Sequence, residues 1–206
     1  MKIVTTILLM SILSATFAFE GVIHGVKMTN GTKEEFDIYM RGDLIAVEGE
    51  DGQGKYRIII DRTKEEIFVC IDNPFFGQKG YFHYTAEQLK REKKIKVLST
   101  KELNDTEVIN GQTCRGYSLV SNGSTVLMYA DEVKEVDLTG LSKYMDDPVY
   151  ELIDAFNVKK AIRKITVNKG ENTYSVILEE ESKSVDDSRF QVPIGYQEYE
   201  ININVK

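Results

Sequence analysis

Cys70, Cys114, His24 and His83 are the side chains of this chain best suited to ligate a metal or to act as nucleophile or base, and each stands alone. Structural zinc sites take paired ligands a few residues apart. Four singletons therefore predict no metal site. A cysteine nucleophile needs a nearby base and an electropositive setting. Cys70 instead lies within Ile67-Phe68-Val69-Cys70-Ile71, an apolar run that reads as a core strand. Cys114, in the stretch TEVINGQTCRGYSLV, follows the turn dipeptide Asn110-Gly111 and leads into another apolar run, where it reads as a small core residue. The alternative is a disulfide between Cys70 and Cys114, which in an oxidising compartment would contribute about 4 kcal/mol. If residues 96–108 form a strand between the two cysteine strands, the axes lie roughly 10 Å apart, beyond the 7 Å or so that a bridge spans. The sequence leaves both readings open.

Other patterns weaken on inspection. Gly49-Glu50-Asp51-Gly52-Gln53-Gly54-Lys55 has the glycine spacing of a phosphate-binding loop, but Tyr56 stands where Ser or Thr must hold magnesium, and a β-run follows instead of a helix. A glycine-rich hairpin fits better. Arg41-Gly42-Asp43 falls between two strand-like runs and reads as a turn. Asn30-Gly31-Thr32, Asn104-Asp105-Thr106 and Asn122-Gly123-Ser124 are glycosylation acceptors only in a host that uses them. There is no Gly-x-Ser-x-Gly elbow, and no carboxylate spacing singles out an acid and base. The expectation is a protein without enzymatic activity and without a cofactor.

The segment from Pro74 to Tyr84 concentrates aromatic residues among glycines. Phe75, Phe76, Tyr81 and Phe82 either plug the end of the core, rim an apolar ligand cavity, or contact a partner. On the cavity reading, Leu89, Leu152 and Phe156 complete the wall.

These residues must be positioned by a mainly β framework. Phe36 to Met40 and Tyr199 to Val205 alternate apolar and polar residues, as half-buried strands do. Tyr56–Ile60, Ile67–Ile71, Thr125–Ala130 and Tyr174–Leu178 are apolar on both faces, which requires cover on both sides. Asp51-Gly52, Asp61 to Lys64, Asn110-Gly111, Asn122-Gly123 and Lys169-Gly170 punctuate them as short turns, so an antiparallel meander follows. Two helices are predicted. One opens at Thr85 with Gln88 as capping-box partner and runs through Leu89 toward Lys94. The other has Asp147 as N-cap and Pro148 at its first position, with Val149, Leu152, Ile153 and Phe156 on one face.

The first residues, MKIVTTILLMSILSATFA, join Lys2 to an apolar run and small residues, the pattern of a secretory signal peptide over residues 1–18. The run is shorter than the roughly 20 residues a bilayer span needs. Residues 19–206 are then expected to form one domain, exported to the periplasm or the extracellular space, monomeric and not integral to a membrane. The formal charge of −7 argues against nucleic acid as a partner. The Lys90 to Lys94 cluster, interrupted by Glu92, reads as a solvated helix face.

The ordered series FEGVIHGVKM, FDIYMRGDLIAVEGE, YRIIIDRTKEEIFVC, TEVINGQTCRGYSLV, STVLMYADEV and DDSRFQVPIGYQEYEI resembles an uncharacterised family of exported bacterial proteins, of the domain-of-unknown-function 4412 type. Ile109-x-Gly111-x-x-Cys114-x-x-Tyr117 and Phe190-x-Val192-Pro193-x-Gly195-Tyr196 carry most of the likeness. That family is distantly similar to the LolA/LolB lipoprotein carriers. The resemblance implies a strongly curved antiparallel sheet, an incomplete barrel, with helices on its concave face and an apolar cavity between them. The expectation is then a binding protein for an acylated or otherwise apolar ligand; the alternative is a non-enzymatic envelope interaction or structural protein, with an envelope protein as partner, a filled core and no ligand. Where such families often carry an arginine after the basic-Gly turn, this chain has Ala46, so no polar clasp is carried over. With no lipidated cysteine near its start, the chain is more similar to the soluble carrier than to the anchored receptor.

Overall fold

The computed structural model describes residues 19–199 except 53, 74–76, 86, 90–94, 122–123, 146 and 170–171. The leader, Phe75, Phe76, the Lys90 to Lys94 cluster, the Asn122-Gly123 turn and the terminal run beyond Tyr199 lie outside the described residues.

Alternating runs and runs apolar on both faces, separated by short turns, form six strands in succession: β1 (Glu20–Thr29), β2 (Thr32–Arg41), β3 (Leu44–Asp51), β4 (Gly54–Asp61), β5 (Glu66–Asn73) and β6 (Gln78–Thr85). A second run follows: β7 (Val97–Ile109), β8 (Gln112–Ser121) and β9 (Ser124–Asp131), then helix α1 (Pro148–Phe156), β10 (Ile162–Lys169) and β11 (Asn172–Ser182). The two-residue strand β12 (Gln197–Glu198) closes the order. All twelve form one sheet in the order β12-β6-β5-β4-β3-β2-β1-β11-β10-β9-β8-β7. Two antiparallel meanders thus meet where β1 pairs with β11, and only β12 runs parallel to its neighbour. The sheet is open, with β7 and β12 at its edges.

Turn chemistry sets the registers. Asn30-Gly31 and Asn110-Gly111 both have positive φ at each residue, as a twist-compatible two-residue hairpin requires. Asp51 pairs with Gly54 across the β3/β4 turn, so the phosphate-loop lookalike is a hairpin. Arg41-Gly42-Asp43 is likewise a turn, with Gly42 at φ 58.

Helix α1 begins as its sequence dictates. The Asp147 carboxylate accepts from the Val149 amide at 2.9 Å, and Pro148 occupies the first position without a missing hydrogen bond. Asn157 ends it in the left-handed conformation, donating to the Ile153 carbonyl. Val149, Tyr150, Leu152 and Ile153 are buried against one face of the sheet, among Ile23, Ile38, Val47, Ile60, Val126, Met128 and Ile165. Each such aliphatic side chain contributes roughly 1.5–3 kcal/mol by leaving water.

The expectation of two helices is corrected to one among the described residues. Thr85 and Gln88 do form the capping-box bonds, Thr85 N–H to Gln88 Oε1 at 2.7 Å and Gln88 N–H to Thr85 Oγ1 at 3.4 Å. Residues 87–89 nonetheless form a turn, because Thr85 is already committed to strand β6. The second cover comes from elsewhere. Residues 183–196 strap the opposite face before β12 joins the sheet edge: Arg57 donates to the Ser188 carbonyl at 3.0 Å, Arg189 pairs with Glu48 at 2.6 Å, and Arg41 pairs with Asp187. The Tyr199 amide donates to the Tyr81 carbonyl at 2.9 Å. That strap accounts for the burial of Ala46, Ile59 and Cys70 on the face away from α1.

The proposed disulfide is absent. Cys70 in β5 and Cys114 in β8 are both buried free thiols, and eight strand-to-strand steps separate them in the sheet order. Residues 97–109 form an edge strand outside β8 and do not lie between the two cysteine strands.

Candidate functional site

Two cavities open on either side of the α1 N-terminus. The first, about 490 Å³, lies between α1 and β1 to β5. The second, about 460 Å³, lies between α1 and β8 to β11. They share Lys27, Asp147, Pro148, Val149 and Tyr174, so the helix start is the partition between them. Both volumes fall in the range of about 300–1,000 Å³ typical of small-molecule sites.

Register builds the wall of the first cavity. Gly25, Phe36, Gly49, Tyr56 and Ile71 stand directly opposite one another across β1 to β5, and so point to one face. A Cβ on Gly25 would collide with the Phe36 ring, and one on Gly49 would collide with the Tyr56 hydroxyl. The two rings lie over their glycines because no side chain stands there. Val47, Ile58, Val69 and Val176 supply the aliphatic floor.

At the partition the Lys27 ammonium bonds the Asp147 carboxylate at 2.8 Å, with Glu34 at 3.7 Å, and sits 5.4 Å from the Tyr174 ring centroid. Burial works against the lysine's charge, but the Asp147 hydrogen bond and the two carboxylates outweigh it and hold its pKa above the usual lysine value. Asp147 thus does two jobs, capping α1 with one oxygen and pairing Lys27 with the other. The Tyr174 hydroxyl is buried without a hydrogen bond of normal geometry, beside that carboxylate. Burial, then Asp147, pushes both Tyr174 and Tyr150 far above the ordinary tyrosine pKa. Burial also raises Tyr56, reinforced by Asp51 and Glu34.

The second cavity is built from Val126, Val167, Val149, Leu152 and Ile95, with hydroxyls from Thr29, Ser121 and Ser124. Glu151 on α1 accepts from the Ile95 amide at 2.9 Å and fixes the chain there. A third hollow of about 340 Å³ is lined by Asp131, Lys134, Arg163 and Glu180. Its charges pair among themselves, Arg163 with Asp131 at 3.2 Å and with Glu180, and Lys134 with Glu180 at 3.1 Å.

Of the residues singled out from sequence, Leu152 lines the second cavity. Tyr81 lies on the face away from α1, because it pairs with Cys70 while its neighbour Phe82 pairs with cavity-lining Val69. Its hydroxyl donates to Glu198 at 3.0 Å, so Tyr81 serves β12. Phe82 packs on Tyr84 and Tyr199, Leu89 packs against the core from the turn after β6, and Phe156 meets the Tyr117 ring edge-on at 6.5 Å. These four belong to neither of the two cavities. Lys27, Phe36, Tyr56, Asp147, Tyr150 and Tyr174 were missed. For Phe36 and Tyr56 the signal is a glycine directly opposite an aromatic, which only the strand pairing makes visible.

The chemistry-capable singletons stay apart. His24 contacts Asp37 at 2.7 Å on β1, and His83 stacks on Phe68 at 4.4 Å on β6. No group of three metal-ligating side chains occurs among the described residues. Burial lifts the Cys70 thiol to about 11 and raises Cys114 as well, which leaves little thiolate at neutral pH.

No family model and no curated protein matches the chain. Among solved structures, it is similar to an uncharacterized conserved protein from Thermus thermophilus, at 8% identity and TM-score 0.49, over 87% of this chain and 90% of that one. LprF from Mycobacterium bovis matches at 8% identity and TM-score 0.39, over 81% and 88%. A PNGF-II structure matches at 14% identity and TM-score 0.45 over 88% of this chain, which spans only 31% of that protein's length. No helix among the described residues is long and apolar enough to cross a membrane.

Proposed function

We propose that this chain is an exported, monomeric binding protein that holds an acyl chain, lipid or other apolar group between its sheet and α1, without catalysis. The observation that carries this reading is the pair of apolar-walled cavities meeting at the α1 N-terminus. Burial of ligand surface there is worth about 25 cal/mol per Å², and neither cavity needs a cofactor to exert it.

The same reading takes the sheet as an incomplete barrel of the LolA-like kind, curled around its helix. Val69 and Ile71 of β5 share a cavity with Val149 and Tyr150, while Tyr117 of β8 packs on Phe156. Those strands are eight steps apart, about 38 Å in a flat sheet at roughly 4.8 Å per step. A nine-residue helix is about 13.5 Å long, so one such helix reaches both only if the sheet bends around it.

Native mass spectrometry and lipid extraction of protein purified from its own host test the reading. The expected result is a co-purifying apolar species that fatty-acyl probes displace. A ligand-free protein that also fails to bind those probes overturns it, in favour of an envelope interaction protein whose cavities are incidental.

A further inference from the structure

The first cavity joins an apolar aromatic wall to an acidic rim. Its lining holds four carboxylates, Glu34, Glu50, Asp51 and Asp147, against two ammoniums, Lys27 and Lys55. Lys27 and Asp147 neutralise one another at 2.8 Å. The lining as a whole carries two more carboxylates than ammoniums, in a chain whose overall charge is already −7. The rings of Phe36, Tyr56, Tyr150 and Tyr174 stand beneath that rim. An aromatic face attracts a cation and repels an anion, because its quadrupole is negative above the ring.

The chain already holds one cation in this setting. The Lys27 ammonium sits over Tyr174, bonded to Asp147 and within reach of Glu34. Tyr150 is buried and lines the same cavity, and the neighbouring Tyr174 hydroxyl is buried without a hydrogen bond of normal geometry. Both hydroxyls are thus polar groups set in an otherwise apolar wall, close to the Asp147 carboxylate. The second cavity shares Lys27, Asp147 and Tyr174 but lacks the acidic rim: it adds Lys96 and no further carboxylate, and its other polar groups are uncharged hydroxyls.

We infer that the first cavity takes an amphiphile with a positively charged ammonium end, its apolar body against Phe36, Val47, Ile58 and Val69 and its cation at the Glu34/Glu50 rim. This rests on the apolar-ligand reading given above and adds the charge of the ligand to it. Long-range attraction from the carboxylates of the rim speeds entry of such a ligand and weakens with salt.

The test compares three probes of equal chain length, decyltrimethylammonium, decan-1-ol and decyl sulfate, each below its micellar concentration, by isothermal titration calorimetry. The expected order is cation, then alcohol, then anion, with roughly tenfold between the cation and the anion at low salt. In the Glu34→Gln/Glu50→Gln double variant the cation loses severalfold affinity while the alcohol is unchanged; both positions lie at the rim, and circular dichroism verifies the fold. Binding of all three probes with equal affinity, or a cation preference untouched by the double variant, overturns the inference and leaves the apolar-ligand reading standing. Failure of all three, decanol included, overturns both.

Discussion

The two cavities share a helix terminus, Lys27 and Tyr174, and differ in most of what the sheet contributes. On the β1 to β5 side the wall is aromatic and the rim acidic; on the β8 to β11 side the wall is aliphatic and the polar groups are hydroxyls. Asp147, Lys27 and Tyr174 face both, so they cannot distinguish one ligand from another. Selectivity must therefore reside in the residues each cavity has to itself, most of them on strands, with the helix start as the common partition. That division of labour makes the two sites separable by mutation.

The largest effect is expected from Leu152→Ala. Leu152 is buried and lines only the second cavity, so truncation removes core contacts and costs about 2–5 kcal/mol. Urea denaturation should show that loss. Binding of a cationic probe to the first cavity should persist under native conditions, and its disappearance would mean that the cavities act as one. The complementary variant is Gly25→Ala. Its added methyl collides with the Phe36 ring and drives the ring into the first cavity, at a cost of about 1–3 kcal/mol. Probe binding at the first cavity should fall while the second is spared; unchanged affinity would show that Phe36 does not wall the site.

How much of this was legible in the sequence follows from what each feature depends on. Asp147-Pro148 with its apolar face fixed α1, and Asn110-Gly111 fixed a hairpin, because caps and tight turns are set by neighbouring residues. The helix expected after Thr85 had an equally good local signal, yet Thr85 is held in β6 by pairing with Glu66, a contact no local pattern contains. The cavity was legible only in part. Gly25, Phe36, Gly49 and Tyr56 are spread over four strands and meet through register alone. The dense aromatic run drew attention instead, and strand alternation then sent Tyr81 to the opposite face from Phe82.

The partition itself is probed by Asp147. Asp147→Ala removes the N-cap and the Lys27 partner together, and the cap alone is worth about 0.5–2 kcal/mol. Asp147→Asn keeps an oxygen for the Val149 amide and gives up only the ion pair, so thermal denaturation should rank wild type, then Asn, then Ala. Because Asp147 borders both cavities, either variant should alter binding at both. A change confined to one would break the symmetry argued for the helix terminus.

The smallest effect at neutral pH is the one that grows with alkali. Lys27, Tyr56, Tyr150 and Tyr174 all have folded pKa values above their ordinary values of 10.5 for lysine and 10.0 for tyrosine. A group raised in this way contributes its stability in full below the unfolded pKa and loses it as pH rises toward the folded one. Folding should therefore be insensitive to these groups up to about pH 10 and weaken above it. Near-ultraviolet absorbance should show a fraction of the tyrosines ionising only as the chain unfolds, in step with far-ultraviolet circular dichroism. Tyr150→Phe and Tyr174→Phe remove groups that resist ionisation, and each should move the alkaline midpoint upward. Tyr150 borders only the first cavity and Tyr174 borders both, so a bound cationic amphiphile should shield both residues, whereas a ligand confined to the second cavity should shield Tyr174 alone.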